Sequence, residues 1–485
     1  MRSHAETGDV GIIGAGPAGL AAAYALAKAG VAVEVFDGSA QVGGMAGSFS
    51  LWGQTVDLGP HRFFSTDARV NQLWTEVLGA ESGIVDRLTR IYYERKFFDY
   101  PLRAMQTLRR LGLYQSTACV ASYVLARLHP RRDESSFENW VINRFGARLY
   151  RMFFKSYSEK LWGIPCTLLD ADFAAQRIKK FSLLEAIKAA LRGNKGSKHK
   201  TLVDQFSYPF HGTGSFYEKM ARLIEEKGGR IHLSTPVRSV TRAADGALSI
   251  NLADGTVRPF QWIVSSMPLT DLVLGFNPPA EIVDSVAKLR FRNTILVYLE
   301  IQSRDLFPDQ WIYVHSPALA VGRITNFRNW LPTLCGDSQN TIVCMEYWCY
   351  DDDAIWRSPD ADLVATATSE IQDTQLIGAT PVLNGKVIRL RKSYPVYRRG
   401  YRDDLAKIEH YLSGIQHLFP IGRYGSFKYN NQDHSILMGV MVAQNIMGQA
   451  NHDLWRVNTD DEYQEAGAVL QRGGVMAPPI AEGND

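Results

Sequence analysis

The sequence predicts an α/β fold organised around a Rossmann-type dinucleotide-binding domain, with a mixed-sheet domain and a helical lobe attached. Three observations predict it. Residues 10–37 read as strand, glycine turn, helix, strand and acid. A glycine pair, Gly43-Gly44, follows at short range. Far downstream, a strand-like run at Trp262–Pro268 rejoins the same sheet.

The first unit sets the chemistry. Val10, Ile12 and Ile13 lead into Gly14-Ala15-Gly16-Pro17-Ala18-Gly19, an Ala/Leu-rich helical segment runs to Ala29, and Val31–Phe36 ends at Asp37. Gly14 permits the tight turn, Gly16 clears the backbone for a pyrophosphate, and Gly19 lets helix and strand pack closely. The pyrophosphate is expected on the helix N-terminus near Pro17 and Ala18. Asp37 is the expected ribose ligand, because alternation along the strand puts Glu34 on the opposite face.

Composition sets bounds. The chain has 485 residues, 46% hydrophobic and 21% charged, with a formal net charge of only +3. That excludes a bulk electrostatic argument for nucleic acid. Cys119, Cys166, Cys335, Cys344 and Cys349 have no metal-ligand spacing, and an odd, scattered set suits a reducing compartment. No metal is expected. The segment before the first strand lacks an apolar signal core, so a cytoplasmic protein is expected. No run reaches about 18 apolar residues, so no spanning helix is expected. Membrane association is not expected either: Thr117–Leu128, the best candidate, reads as a buried helix.

Asp67–Gly83 reads as mostly helical, Leu88–Phe98 as strand, and Ala104–Phe181 as helical with aromatic residues at core spacing. Gly193–Lys200 is a basic loop. Phe216–Lys227 reads as a helix, and Ile250–Val257 as a hairpin around Asp254-Gly255. Residues 269–390 alternate strands (Thr294–Glu300, Thr341–Tyr347) with a helix (Asp362–Leu376). The expected layout is a cofactor domain assembled from residues 9–100, 201–268 and 391–450, a helical substrate lobe at 101–200, a mixed-sheet substrate domain at 269–390, and a tail at 451–485.

Several blocks carry a resemblance. Gln41–Gly47, with its glycine pair and Met45, and then Gly59-Pro60-His61-Arg62-Phe63-Phe64, resemble the two-dinucleotide-binding-domain flavoproteins. That group includes the amine oxidases, protoporphyrinogen oxidases, phytoene desaturases and UDP-galactopyranose mutases. The resemblance implies a glutathione-reductase-like fold and FAD as cofactor. Gly43, Gly44 and Met45 would border the diphosphate and ribityl chain, and Gly59, Pro60 and His61 would lie near the flavin. Val237 would hold the adenine through its backbone. Gly422 and Arg423 would lie under the flavin, with Asp433, His434 and Ser435 at the ribityl chain and ring. A helix starting after Asp433 would stabilise reduced flavin through its dipole.

The run Phe153-Phe154…Tyr157…Lys160-Leu161-Trp162-Gly163, then Arg177-Ile178, resembles the substrate lobe of the mutases. There the matching arginine faces the substrate diphosphate. Lys179-Lys180 stand where the mutases generally have proline. Tyr429 matches one phosphate-binding tyrosine of the mutases, while Phe427 replaces the other. A second phosphate-binding arginine is not fixed among Arg290, Arg292, Arg323 and Arg328. The middle region resembles the oxidases more than the mutases.

Two enzymatic readings follow. In the first, the protein acts on a nucleotide-sugar or other phosphorylated glycosyl substrate through flavin N5. His61, Arg177 and Tyr429 are then the catalytic residues, and Trp162, Arg177, Tyr394 and Tyr429 bind substrate. In the second, it is an amine oxidase-, protoporphyrinogen oxidase- or desaturase-like enzyme that passes hydride from a non-sugar substrate to FAD, in a dry aromatic pocket built from Tyr157, Trp162, Trp348 and Tyr394. An FAD-binding scaffold is the non-enzymatic alternative. No second full dinucleotide motif is present, because Gly212-Thr213-Gly214 lacks a clean preceding strand. An external electron donor or oxygen is therefore the expected redox partner of the small-molecule substrate, and oligomeric state is open.

Overall fold

The computed structural model describes residues 9–102, 104–173 and 205–458. Its cofactor layer is a five-stranded parallel sheet in the order Leu418–Pro420, Trp262–Ser265, Val10–Ile13, Val33–Phe36, Arg230–His232. All four pairings are parallel. The strands Val10–Ile13 and Val33–Phe36 are buried at every position, as expected when helices cover both faces. Helix Pro17–Lys28 lies on this sheet and packs against helix Gln432–Ile446. Their approach is close: a Cβ on Gly439 would lie 2.4 Å from the Ala18 carbonyl oxygen.

Glu34 and Asp37 diverge as alternation along the strand requires. The buried Glu34 carboxylate takes Arg230, His232 and Arg258, the last at 2.7 Å. Asp37 turns to the glycine loop, accepting the Ala15 N–H at 2.7 Å and the Ser39 N–H at 2.7 Å.

The second layer is a seven-stranded sheet: Val382–Pro395, Phe291–Ile301, Thr341–Cys349, Arg323–Asn326, Trp311–Val314, Thr89–Tyr93, Lys96–Asp99. It is antiparallel except where Trp311–Val314 runs parallel to Thr89–Tyr93. Two expected boundaries therefore move. Residues 89–99 belong to the mixed sheet rather than to the first cofactor segment, and the sheet extends to Pro395, past 390. Sequence distance hid this, because Thr89 pairs with Trp311 across more than two hundred residues.

The helical lobe consists of Ala104–Leu111, Leu113–Leu128, Phe137–Leu149, one π-helical stretch at Tyr150–Lys155, and Ser156–Trp162. Gly146 breaks the Phe137–Leu149 segment with φ 81°, and a Cβ there would sit 2.7 Å from the Tyr123 nitrogen. The two helices thus cross with only a glycine between their backbones. Arg292 ties off the last helix, donating to the carbonyls of Leu161 at 3.2 Å and Lys160 at 3.1 Å, where orphan acceptors and the negative dipole end collect.

One expectation is corrected here. Thr117–Leu128 is helical, but only Cys119, Tyr123 and Ala126 of helix Leu113–Leu128 are buried. Leu113, Tyr114, Val120, Val124, Leu125 and Leu128 are exposed. Among the described residues, no helix is long and apolar enough to cross a membrane.

Candidate functional site

A cavity of about 1100 Å³ runs between the two layers. At one end lie Gly14, Gly16, Pro17 and Ala18, with Asp37 beside them and Val237 opposite. Gly16 is the N-cap of helix Pro17–Lys28 and makes no side-chain cap bond, so the helix's positive end faces open space. The glycine pair abuts this loop: Gly43 N–H donates to the Ala15 carbonyl at 2.8 Å, and a Cβ on Gly44 would lie 3.2 Å from Gly16 Cα. Both Gly43 and Gly44 have positive φ, which the crossing of two turns requires. Gly44 and Met45 reach the cavity, whereas Gly43 lies behind them as their anchor. Gly19 also stays out of the cavity, because it packs on the Gly14 carbonyl.

Further along stand Pro60 and His61, then Gly422 and Arg423, then Asp433 and Ser435. The Arg423 guanidinium lies 4.5 Å from both the Tyr394 and Tyr429 ring centres, and it donates to the Ser393 carbonyl at 2.8 Å and the Asn430 carbonyl at 3.0 Å. Tyr394 and Tyr429 stack at 5.5 Å. Helix Gln432–Ile446 begins earlier than expected, with Asn431 as its N-cap, so Asp433 lies inside the first turn. His434 does not reach the cavity: its Nδ1 accepts the Asn431 N–H at 3.3 Å and completes a capping box. Gly59 turns the chain with φ 96° and lies outside the cavity.

The inner chamber holds a buried ion pair that sequence reasoning saw only in part. Arg323 and Glu346 bond bidentately, at 2.6 Å on each arm, with side chains 15% and 2% exposed. Burial works against the charged Arg323 guanidinium, but the Glu346 carboxylate outweighs it and holds the group charged, well above its usual range. Beside them, His61 is pushed down to about 3 by burial and by the charges of Arg323 and Arg423. His315 is also pushed down to about 3, by burial and by Lys160. The Nδ1 atoms of both histidines have no hydrogen-bond partner among the described residues. Tyr157 stacks on His315 at 4.6 Å and meets Tyr313 edge-on at 5.6 Å.

The four arginines considered for a second phosphate contact separate cleanly. Arg292 is consumed by backbone carbonyls and Asp353. Arg328 donates to the carbonyls of Ser338 and Asn340. Arg290 lies over the Tyr350 ring outside the cavity. Only Arg323 lines the cavity, already neutralised by Glu346. Arg177 lies outside the described residues, as do Lys179, Lys180 and the 193–200 loop.

Two further expectations are corrected. Trp162 does not line the cavity; it is fully buried behind the chamber, stacked on Tyr397 at 6.2 Å and edge-on to Tyr429 at 5.9 Å. It thus backs the tyrosine wall rather than touching a substrate. Trp348 likewise packs behind Tyr157 and Tyr394. Phe427 is buried against Phe291 at 5.0 Å and faces no ligand space.

An apolar arm completes the cavity. Phe145, Leu149, Phe153 and Phe154 line it, and it reaches Cys119, Val120 and Tyr123 of helix Leu113–Leu128.

The family model for flavin-containing amine oxidoreductases matches residues 17–372. The chain belongs to that family. The flavoprotein is 28% identical to a phytoene desaturase (neurosporene-forming) of Rhodobacter capsulatus over 284 residues, 53% of this chain and 51% of that one. It is 40% identical to a hydroxysqualene dehydroxylase of Sinorhizobium fredii over 299 residues, 56% of this chain and 65% of that one. The matched stretch thus spans between half and two thirds of these curated relatives. In fold, it resembles reduced UDP-galactopyranose mutase with a TM-score of 0.83 at 21% identity, over 93% of this chain and 99% of the mutase. FAD is the cofactor of this family. The geometry fits it: the glycine turns clear a cradle at a free helix N-terminus, and the cavity continues under Gly422 and Arg423.

Sequence reasoning missed Glu346, His315 and Tyr313. Glu346 had a signal: it is the one charged residue in the otherwise uncharged, fully buried strand Thr341–Cys349. His315 and Tyr313 had none, because what brings them to the cavity is the pairing of Trp311–Val314 with Thr89–Tyr93.

Proposed function

We propose that this amine oxidoreductase oxidises a largely apolar substrate by hydride transfer to its FAD. The observation that carries the reading is the apolar arm, lined by Phe145, Leu149, Phe153 and Phe154 and continuous with the chamber of Tyr157, Tyr313 and Tyr394. Such an arm excludes water and binds hydrocarbon by area. When bound, FAD supplies the two-electron acceptor. The chain's own groups do the rest. Tyr394, Tyr429 and Arg423 form a rigid wall. The Arg323–Glu346 pair keeps the chamber electrically balanced. His61 and His315 are buried and held neutral, and the burial and positive charges that push them down to about 3 make them poor proton acceptors. They line the chamber as uncharged polar groups, and the proton released with the hydride passes to solvent. The names of the two curated relatives point the same way, since phytoene and hydroxysqualene are largely hydrocarbon. Oxygen or a separate carrier would reoxidise the flavin.

A second reading, turnover of a nucleotide-sugar by the reduced enzyme with His61, Arg177 and Tyr429 as its catalytic residues, draws on the mutase likeness and the Tyr394–Arg423–Tyr429 cluster. It needs phosphate-binding cations. Of the four arginines considered, none faces the cavity unpaired. Arg87 also lines it, with one buried guanidinium nitrogen that has no hydrogen-bond partner among the described residues, and is the cation this reading would use.

Anaerobic flavin spectroscopy separates the two. Long-chain apolar alcohols, amines and polyenes in detergent should bleach the oxidised flavin. Conversion of UDP- or dTDP-sugars by dithionite-reduced enzyme, with no net change in flavin oxidation state, would refute the hydride-transfer reading and establish the other.

A further inference from the structure

Helix Leu113–Leu128 shows solvent the face that a soluble protein would hide. Leu113 is 83% exposed, Tyr114 78%, Leu125 62% and Leu128 69%, with Val120 and Val124 also open. Its small buried side, Cys119, Tyr123 and Ala126, seats it on the lobe. At 1.5 Å per residue the apolar strip is about 24 Å long. Contiguous apolar surface of this kind marks a docking site.

The charge around the strip identifies what covers it. From Tyr100 to Arg132 the sequence contains no Asp or Glu, but it contains Arg103, Arg109, Arg110, Arg127, Arg131 and Arg132. Arg109 and Arg110 end the preceding helix, Ala104–Leu111, and Arg127 lies in the last turn of Leu113–Leu128. Arg109 and Arg110 at one end and Arg127 at the other therefore bracket the apolar strip, while Arg131 is paired with Glu138 at 3.0 Å. The whole chain carries only +3, so this concentration is local. An apolar face rimmed by cations matches the boundary between acyl chains and anionic headgroups. A protein partner would be expected to meet mixed charge at the rim.

The cavity opens at the same place. Val120 is both exposed and cavity-lining, and Thr107, Cys119 and Tyr123 line the cavity beside it. We propose that helices Ala104–Leu111 and Leu113–Leu128 dock on an anionic bilayer surface, with the apolar strip among the acyl chains and the arginines at the phosphates. The cavity mouth then faces the lipid phase without any segment spanning it. The docking does not depend on which substrate is turned over.

The test is co-sedimentation of the full-length, FAD-loaded protein with vesicles of phosphatidylcholine, alone and with phosphatidylglycerol added. Wild type should bind the anionic vesicles and release them as salt is raised. The Leu125→Glu/Leu128→Glu variant should bind at least about tenfold more weakly while keeping its flavin absorbance, because both positions are exposed. Wild type that ignores anionic vesicles would overturn the proposal, and so would a variant that binds as well as wild type. Light scattering completes the experiment. A wild-type dimer that the variant makes monomeric, with no vesicle binding, would assign the face to a second copy of the chain.

Discussion

Replacing Gly16 by valine should strip the protein of FAD while leaving it folded. A Cβ on Gly16 meets nothing nearer than Gly44 Cα at 3.8 Å, an ordinary contact, so the added methyl groups project into the cavity. Gly19 is the contrasting case. A Cβ there would lie 1.9 Å from the Gly14 carbonyl oxygen and 3.3 Å from Ile12 Cγ2, so Gly19→Ala must push helix from strand. That overpacking should cost about 1–3 kcal/mol of stability. For Gly16→Val the cost falls on the ligand. Hydrogen bonds to a charged group contribute about 1.5–3 kcal/mol each. Displacing a pyrophosphate from two N–H donors of the helix terminus therefore costs roughly 3–6 kcal/mol, or on the order of a hundred- to ten-thousand-fold in Kd. The assay is titration of deflavinated protein with FAD, followed by flavin fluorescence, with urea midpoints measured in parallel. Gly16→Val with unchanged FAD affinity would refute the placement of the pyrophosphate. Gly16→Val as destabilised as Gly19→Ala would refute the distinction between the two glycines.

The inner chamber yields two further expectations. Glu346→Gln leaves the buried Arg323 guanidinium without its bidentate partner and should cost about 3–5 kcal/mol in urea unfolding, whereas Arg323→Leu/Glu346→Leu should be less harmful than either single change; additive singles would show that the pair is not coupled. His61 and His315 are both held down to about 3, below the ordinary value near 6.5. Their folded values are depressed, so their contribution is complete above the ordinary value and is lost as pH falls toward 3. Each should steepen acid destabilisation by up to about 1.4 kcal/mol per pH unit. Urea midpoints on stepping down from neutrality should therefore fall less in His61→Gln/His315→Gln than in wild type, and equal slopes would show that neither histidine is held neutral.

How much of this was legible in the sequence depends on how local each feature is. The cofactor half is assembled from short units whose residues contact one another within a turn or two. Gly14 to Asp37 could be read because the Asp37 carboxylate reaches back to Ala15 N–H in a single strand–helix–strand unit. The choice of Asp37 over Glu34 followed from two-residue alternation alone, and the structure sends Glu34 to Arg230, His232 and Arg258. His434 was placed at the cofactor on resemblance, and the helix start moved because Asn431, not Asp433, is the cap. The substrate half is set by long-range register. Arg323 was one of four indistinguishable arginines until strand Arg323–Asn326 paired with Thr341–Cys349 and brought it opposite Glu346. Trp162 and Trp348 read as pocket positions because aromatic residues near a site look alike in sequence, whichever side of the wall they occupy.

Helix Leu113–Leu128 shows where periodicity alone stops. Its pattern says that one face differs from another, but not which face meets the protein. Length and hydropathy favour a buried helix, and most helices of that composition are buried. What decides the matter is the partner surface. Helix Phe137–Leu149 offers a glycine contact at Gly146 that meets the backbone of Ser122 and Tyr123, so the narrow strip of Cys119, Tyr123 and Ala126 is the side of Leu113–Leu128 that approaches it. The larger residues, Leu113, Tyr114, Leu125 and Leu128, have no place in that contact and are turned outward. A glycine in one helix thus fixes the exposed face of its neighbour, and the absence of acids between Tyr100 and Arg132 then gives that face a counterpart in an anionic lipid surface.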